Sequence, residues 1–173
     1  MAIKALIIDD EELARENLSM MIEDFVPSIE IIGKAWNKED AKEKIIAFSP
    51  DVIFLDICMP SGTEGLTLLD EIENKNFLVV FVTAFKEYAL KAFNTNAVHY
   101  ILKPIDIDEL IDAGKKINER LEILKNHPEN QLEYKKSLEN TAYSIRNKES
   151  NRLTISHSRG MKIVTISDIE FIE

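Results

Sequence analysis

Five polar side chains follow short apolar runs at intervals along the chain. Asp9 and Asp10 follow the first run, Asp56 ends the third, and Thr83 and Lys103 end the last two. A carboxylate can bind a hard cation or attack phosphorus, while a hydroxyl and an ammonium group can stabilise charge on transferring oxygens. These residue types therefore predict phosphoryl chemistry, provided that the fold brings them together.

The apolar runs have the composition of strands that are buried on both faces of a parallel sheet. Each is short, rich in Ile, Val, Leu or Phe, and largely without polar alternation. The predicted strands are Ile3–Asp9, Ile29–Ala35, Asp51–Asp56, Phe77–Thr83 and Ala97–Lys103. Amphipathic patterns predict helices at Glu11–Phe25, Lys38–Phe48, Gly65–Asn74, Lys86–Phe93 and Ile107–Lys125. This alternation predicts a doubly wound α/β domain with a five-stranded parallel sheet, for which the flavodoxin-like strand order 2-1-3-4-5 is suitable.

The first and last predicted helices each carry an apolar stripe at helical spacing. The stripe of the first helix predicts burial of Leu13, Leu18, Met21, Ile22 and Phe25. The stripe of the last helix consists of Leu110, Ala113, Ile117, Leu121 and Leu124. We interpret the second stripe as a core-facing surface, whose extension is also a candidate for contacts in a dimer.

The chain changes character after residue 125. Asn126-His127-Pro128 ends the last helix, because proline disfavours helix in the preceding residue. The polar stretch that follows has a thin helical stripe of Tyr134, Leu138, Ala142 and Ile145, which predicts a partly helical linker. Two β-like runs, Arg152–Ser156 and Met161–Ser167, flank Gly160 and predict a hairpin. The predicted divisions are a domain at 1–125, a linker at 126–150 and a short β segment at 151–173.

The predicted topology places the polar side chains around one crevice. Open parallel sheets bind ligands at the carboxyl ends of their strands, beside the point where strand order reverses. Strands one and three flank that point, so Asp9, Asp10 and Asp56 should lie together, with Thr83 and Lys103 at the border. Two carboxylates about 4 Å apart repel by roughly 4 kcal/mol at an effective dielectric near 20. Either one carboxylate is protonated or a cation binds, and an all-oxygen set without a nearby histidine favours Mg²⁺.

Composition and charge exclude several other classes of protein. Residues 1–125 hold 14 Lys and Arg against 24 Asp and Glu, a net charge of −10, so this part would repel a nucleic-acid backbone. The single cysteine, Cys58, excludes an internal disulfide framework. Because no apolar run approaches the length of a membrane span, we expect a soluble cytoplasmic protein.

Each polar position also has an ordinary structural explanation when it is taken alone. Asp9 and Asp10 can cap a helix, since carboxylates favour the amino-terminal end of the helix dipole. Asp56 can simply end a strand, Thr83 is a common β-forming residue, and Lys103 can be a solvated loop lysine. The functional interpretation is stronger because all of them follow predicted strands of one sheet.

Four segments resemble the successive motifs of response-regulator receiver domains. They read "ALIIDDEELARENL", "PDVIFLDICMP", "FVTAFKEYALKAF" and "AVHYILKPI". They occur in the family's order, and the resemblance as a whole covers roughly residues 3–125. The resemblance implies that a sensor histidine kinase phosphorylates Asp56 with the help of Mg²⁺. It further implies that Asp10 binds the ion, that Asp9 binds it directly or through water, and that the main-chain carbonyl of Cys58 completes the protein ligands.

The resemblance also implies how the signal leaves the site. Thr83 and Lys103 would contact the phosphoryl group, and the Lys103–Pro104 peptide bond would be cis. Phosphorylated Asp56 would draw in Thr83 and let Tyr100 swing inward, which would change the face formed by the fourth helix, fifth strand and fifth helix and promote a homodimer. The sequence departs from the family pattern in a longer loop at 61–65, in His99 and in Asn96.

Two further segments resemble a subgroup of regulators. "YALKAF" and the final "RLTISHSRGMKIVTISDIEFIE" are similar to LytTR-type (LytR/AlgR-like) regulators, whose receivers precede a DNA-binding domain. This implies a transcription regulator whose receiver catalyses only its own phosphorylation and dephosphorylation. The chain contains only the start of the DNA-binding module, so we expect DNA binding only in a longer form.

Two alternatives to a transcriptional regulator remain open on the residues alone. One is a receiver that acts only through protein contacts. The other is a phosphatase of the haloacid-dehalogenase type, which is disfavoured because that family places its nucleophile in a DxD motif after strand one.

Overall fold

The computed structural model describes residues 2–59, 64–85, 97–127, 134, 152–157 and 160–165. Its main feature is a sheet of five parallel strands in the order β2-β1-β3-β4-β5. The strands are β1 (Ile3–Ile8), β2 (Ile29–Ala35), β3 (Val52–Leu55), β4 (Leu78–Thr83) and β5 (His99–Leu102). The predicted fold class and strand order are therefore confirmed.

The three central strands form the core of the molecule. Every residue of β3 and β4 is buried, as is all of β1 except Lys4. Such strands are covered on both faces, which is why their sequences lack polar alternation. Strand β5 is at the edge of the sheet, and only Ile101 of its four residues is buried.

The described part of the chain contains four helices around this sheet. They are α1 (Glu12–Phe25), α2 (Lys38–Phe48), α3 (Glu64–Glu71) and α4 (Ile107–Asn126). The side chains of Asn37 and Asp106 cap α2 and α4 by accepting hydrogen bonds from main-chain N–H groups in the first turn. The predicted helix at Lys86–Phe93 lies outside the described residues. None of the helices described is both long and apolar enough to cross a membrane.

The apolar stripe predicted for α1 is partly wrong. Leu18 and Ile22 are buried, but Leu13 is 84% exposed and Phe25 is 43% exposed. At 100° per residue, Leu13 lies about 140° around the helix from Leu18, so the two side chains cannot face the same core. The buried face continues instead through Ser19, whose hydroxyl donates a hydrogen bond to Glu23.

The stripe predicted for the last helix is confirmed as a core-facing surface. Leu110, Ala113 and Ile117 are buried, and Leu121 and Leu124 pack partly buried against the same core. Contacts in a dimer are not tested by these positions and remain a prediction.

The C-terminal hairpin is present in the structure. Strand β6 (Arg152–His157) pairs with the antiparallel β7 (Gly160–Thr165). Of the predicted linker stripe, Tyr134 is described, and it is helical and buried. Leu138, Ala142 and Ile145 lie outside the described residues. The proposed domain boundaries remain a prediction.

Candidate functional site

Three carboxylates converge at the carboxyl ends of β1 and β3. One carboxylate oxygen from each of Asp9, Asp10 and Asp56 lies within 4.8 Å of the others. Asp9 and Asp56 are buried, while Asp10 is partly exposed. The sheet aligns them because Ile8 is the register partner of Leu55 and the Asp56 N–H donates to the Ile8 carbonyl at 2.8 Å. The predicted convergence of these three residues is therefore found in the structure.

Lys103 joins two of the three carboxylates. Its Nζ donates to Asp9 Oδ2 at 2.6 Å and to Asp56 Oδ2 at 2.7 Å. Lys103 directly follows β5, which is separated from β3 by β4, so its side chain reaches past the end of the intervening strand. The Lys103 N–H donates to the Thr83 carbonyl at 2.9 Å, and the Lys103–Pro104 peptide bond is cis, as expected.

Main-chain groups orient the remaining carboxylate oxygens. Asp9 Oδ1 accepts a hydrogen bond from the Glu11 N–H at 2.9 Å, and Asp56 Oδ1 accepts one from the Cys58 N–H at 3.0 Å. Each oxygen retains acceptor capacity, since an ionised carboxylate has about four lone-pair sites. The carboxylates of Asp9 and Asp56 are thus held in fixed directions, and their oxygens can still accept further hydrogen bonds or bind a cation.

Burial and charge act in opposite directions on the site's titratable groups. Burial raises the pKa of Asp9, although hydrogen bonding and charge attraction from Lys103 oppose the rise. Burial by itself would lower the pKa of Lys103, but its hydrogen bonds and attraction to Asp56 and Asp9 raise it overall. Lys103 therefore stays protonated, and with ionised aspartates the cluster carries three negative charges against one positive charge. This imbalance favours a bound cation.

Thr83 contributes a buried hydroxyl beside this crevice. It is the last residue of β4, the strand that lies between β3 and β5, and it is fully buried. Its Oγ1 makes no hydrogen bond within the described structure. An unsatisfied buried hydroxyl costs about 1–3 kcal/mol, so it is a donor that lacks an acceptor in this conformation.

Gly65 at the start of α3 is a positioning residue that the sequence did not reveal. A Cβ built on Gly65 would lie 2.1 Å from the main-chain oxygen of Asp56, which is a severe clash. The Gly65 N–H also donates to the Ile57 carbonyl at 3.2 Å. The helix therefore approaches the backbone of Asp56 closely only because residue 65 lacks a side chain. The glycine itself was the only available signal.

Arg15 is a second residue that was not anticipated. Its Nη1 donates to the main-chain oxygen of Asp9 at 2.6 Å, and this bond ties α1 to the end of β1. Arg15 is the only basic residue of α1, but nothing in the local sequence indicates which acceptor its side chain binds.

Tyr100 is connected to the segment that follows Thr83. Its ring is half-buried and lies 6.3 Å from the Phe81 ring between centroids. Its hydroxyl donates to the main-chain oxygen of Phe85 at 2.6 Å. Tyr100 is thus connected to Thr83 through Phe85 and Ala84.

Comparison with known proteins finds a family model and several relatives that match this chain. A family model for the response regulator receiver domain matches residues 5–115. The chain is 34% identical over 172 residues to the sensory transduction protein LytT of Bacillus cereus, covering 98% of this chain and 65% of LytT. It is 48% identical over 106 residues to the transcriptional regulatory protein BtsR of Escherichia coli, covering 60% of this chain and 43% of BtsR. The chain thus spans less than two thirds of the length of either relative.

Solved structures show the same fold. The response regulatory domain of protein mrkE from Klebsiella pneumoniae is 35% identical with a TM-score of 0.60, covering 69% of this chain and 98% of that domain. The receiver domain of AraT from Geobacillus stearothermophilus is 32% identical with a TM-score of 0.62, covering 72% of this chain and 99% of that domain.

Proposed function

This chain belongs to the response-regulator receiver family, and we propose that it acts as a switch whose Asp56 accepts a phosphoryl group from a sensor histidine kinase. The observation that carries the proposal is the environment of Asp56, which is buried, paired with Lys103 at 2.7 Å and clustered with Asp9 and Asp10. A carboxylate held in this way has both a fixed direction and a cation beside it. Capping or strand termination requires neither feature.

Each residue of the site has a role in this reaction. Asp56 attacks phosphorus, so that an O–P bond forms while the bond from phosphorus to the donor's nitrogen breaks. Lys103 stabilises the negative charge on the transferring oxygens, because it already lies at Asp56 Oδ2. The Thr83 hydroxyl, for which the described residues offer no acceptor, donates to a phosphoryl oxygen after transfer.

The donor set at this site suits Mg²⁺. We propose that Asp9, Asp10, Asp56 and the main-chain carbonyl of Cys58 hold the ion, with Asp9 acting directly or through water. When bound, the ion would neutralise charge on the phosphoryl oxygens. The raised pKa of Asp9 supports this assignment, because a carboxylate that is costly to ionise in isolation is one that a cation would stabilise.

The proposed output is transcriptional. Movement of Thr83 toward the phosphoryl group would be transmitted to Tyr100 through Phe85, and would alter the edge of the sheet at β5. We propose that this change promotes a homodimer, and that a longer form of the protein binds DNA. The similarity to LytT favours this output, because it extends past the receiver across 98% of the chain. A receiver that acts only through protein contacts is the second candidate.

Mass spectrometry with a small phosphodonor tests the central role. Wild type and Asp56→Ala are incubated with Mg²⁺ and acetyl phosphate, and Asp24→Ala serves as a control that removes an exposed carboxylate from α1. We expect one alkali-labile phosphoryl group on wild type and on Asp24→Ala, and none on Asp56→Ala. Equal labelling of Asp56→Ala would assign the acceptor to another residue.

A further inference from the structure

Tyr134 occupies a core position although it lies beyond the receiver. The family match ends at residue 115 and α4 ends at Asn126, yet Tyr134 is only 1% exposed. It is among the largest fully buried side chains of the described structure. A side chain this far past the last helix of the domain is therefore covered as thoroughly as the central strands.

The contacts of Tyr134 are directional as well as apolar. Its hydroxyl accepts a hydrogen bond from the Val79 N–H of β4 at 2.9 Å. The guanidinium carbon of Arg120 lies 5.5 Å from the centre of the ring, within the range of a cation–π interaction. Leu121 and Leu124 of α4 line the same recess. One phenol thus contacts both a central strand and the last helix.

The hydrogen bond to Tyr134 gives a partner to the Val79 N–H, which would otherwise be a buried donor without an acceptor. A buried main-chain N–H without a partner destabilises a fold, and few such groups persist in native structures. Burial strongly raises the pKa of the Tyr134 hydroxyl, so the phenol remains neutral in its recess. The buried phenol therefore supplies the acceptor that the Val79 N–H needs.

We propose that Tyr134 docks the linker onto the receiver, so that the folded unit includes this residue. Val79 is near the start of β4 and Thr83 ends it, so the two lie about 13 Å apart at 3.3 Å per residue. The docking point is thus near the amino-terminal end of β4, whereas the carboxylate cluster lies at the carboxyl ends of the strands. This inference does not depend on phosphorylation of Asp56.

Hydrogen exchange of the Val79 amide tests the docking directly. The full chain is compared as wild type and Tyr134→Phe, which keeps the ring and removes the acceptor. We expect exchange at Val79 to accelerate by about tenfold or more relative to the amides of β3, because a buried N–H has lost its partner. Acceleration at Val79 no greater than that across Val52–Leu55 would overturn the proposal.

Tyr100→Phe is the matched control, because it also removes a phenol hydroxyl that is bonded to the main chain. It should leave the exchange of Val79 unchanged. A second measurement uses trypsin at Lys135 and Lys136 in the full chain. We expect Tyr134→Ala to be cut there several times faster than wild type at a temperature where the receiver remains folded. Equal cutting rates would show that residue 134 does not hold the linker.

Discussion

Lys103 is the residue on which the charge balance of the carboxylate cluster depends. It is the only cation within hydrogen-bonding distance of both buried aspartates among the described residues, at 2.6 and 2.7 Å. Its identity as a candidate was evident from its position after a predicted strand. Its pairing with Asp9 and Asp56 was not evident, because those residues are 94 and 47 positions away along the chain.

His99 provides a prediction about pH at the scale of one residue. Burial, followed by the charge of Lys116, lowers its pKa, while Asp112 and Glu109 of the same helix oppose this without outweighing it. The folded protein thus binds a proton at His99 less readily than the unfolded chain does. Its contribution to the free energy of unfolding is therefore complete above the unfolded pKa near 6.5 and is lost as the pH falls.

Urea unfolding at pH 7.5 and pH 5.5 measures this effect. We expect His99→Gln to lose less stability between the two pH values than wild type loses. His127→Gln, which changes an exposed histidine, is the control. An identical loss in wild type and His99→Gln would contradict the prediction.

At the scale of elements, the boundaries of the strands were easier to predict than the faces of the helices. A buried strand is marked by its uninterrupted apolar composition, which is a local property, and β3 and β4 begin within one residue of their predicted starts. The face that a helix buries depends on what packs against it. Leu13 satisfied a plausible apolar stripe and is nevertheless 84% exposed.

At the scale of elements, the close approach of α3 to Asp56 at Gly65 gives a testable prediction. A methyl group at this position would meet the main chain of Asp56 rather than a flexible side chain, so either α3 or the backbone of Asp56 must shift. We expect Gly65→Ala to lower the free energy of unfolding by about 1–3 kcal/mol and to slow labelling by acetyl phosphate at least tenfold. Chemical unfolding and time-resolved mass spectrometry measure the two effects.

Gly114→Ala is the matched control for Gly65→Ala. It places a methyl group 2.4 Å from Cγ1 of Val26, where α4 packs against the residue that follows α1. We expect it to destabilise the fold while leaving the rate of labelling close to that of wild type. If Gly65→Ala were labelled as rapidly as Gly114→Ala, the close approach of α3 would have no role in positioning Asp56.

At the scale of the whole molecule, an ion held by the carboxylate cluster, as proposed, would raise global stability. An ion that binds only the folded state stabilises it by an amount that rises with the logarithm of its concentration, and reaches about 2.7 kcal/mol at one hundred times its dissociation constant. We expect the melting temperature to rise with Mg²⁺ concentration in wild type and in Asp24→Ala. The rise should disappear in Asp10→Ala, because that variant lacks one of the three clustered carboxylates.

Asp10→Ala also tests a second, independent prediction, which concerns the stability of the protein without Mg²⁺. Removal of one of three mutually repelling carboxylates should leave Asp10→Ala at least as stable as wild type in a chelator. A melting temperature below that of wild type under these conditions would mean that Asp10 contributes a structural contact instead. Differential scanning calorimetry supplies both comparisons.

The sequence by itself determined the α/β alternation and the residues at the carboxyl ends of the strands, and it restricted the strand order to a few choices that include the observed one. These follow from local composition and from the few topologies that right-handed crossovers allow. The tertiary structure alone decided that Lys103 bridges two aspartates, that α3 needs Gly65 to approach Asp56, and that Tyr134 is buried beside β4 with a hydrogen bond to Val79. Those features depend on contacts between residues far apart along the chain, and no local pattern encodes which distant side chain will fill a given space.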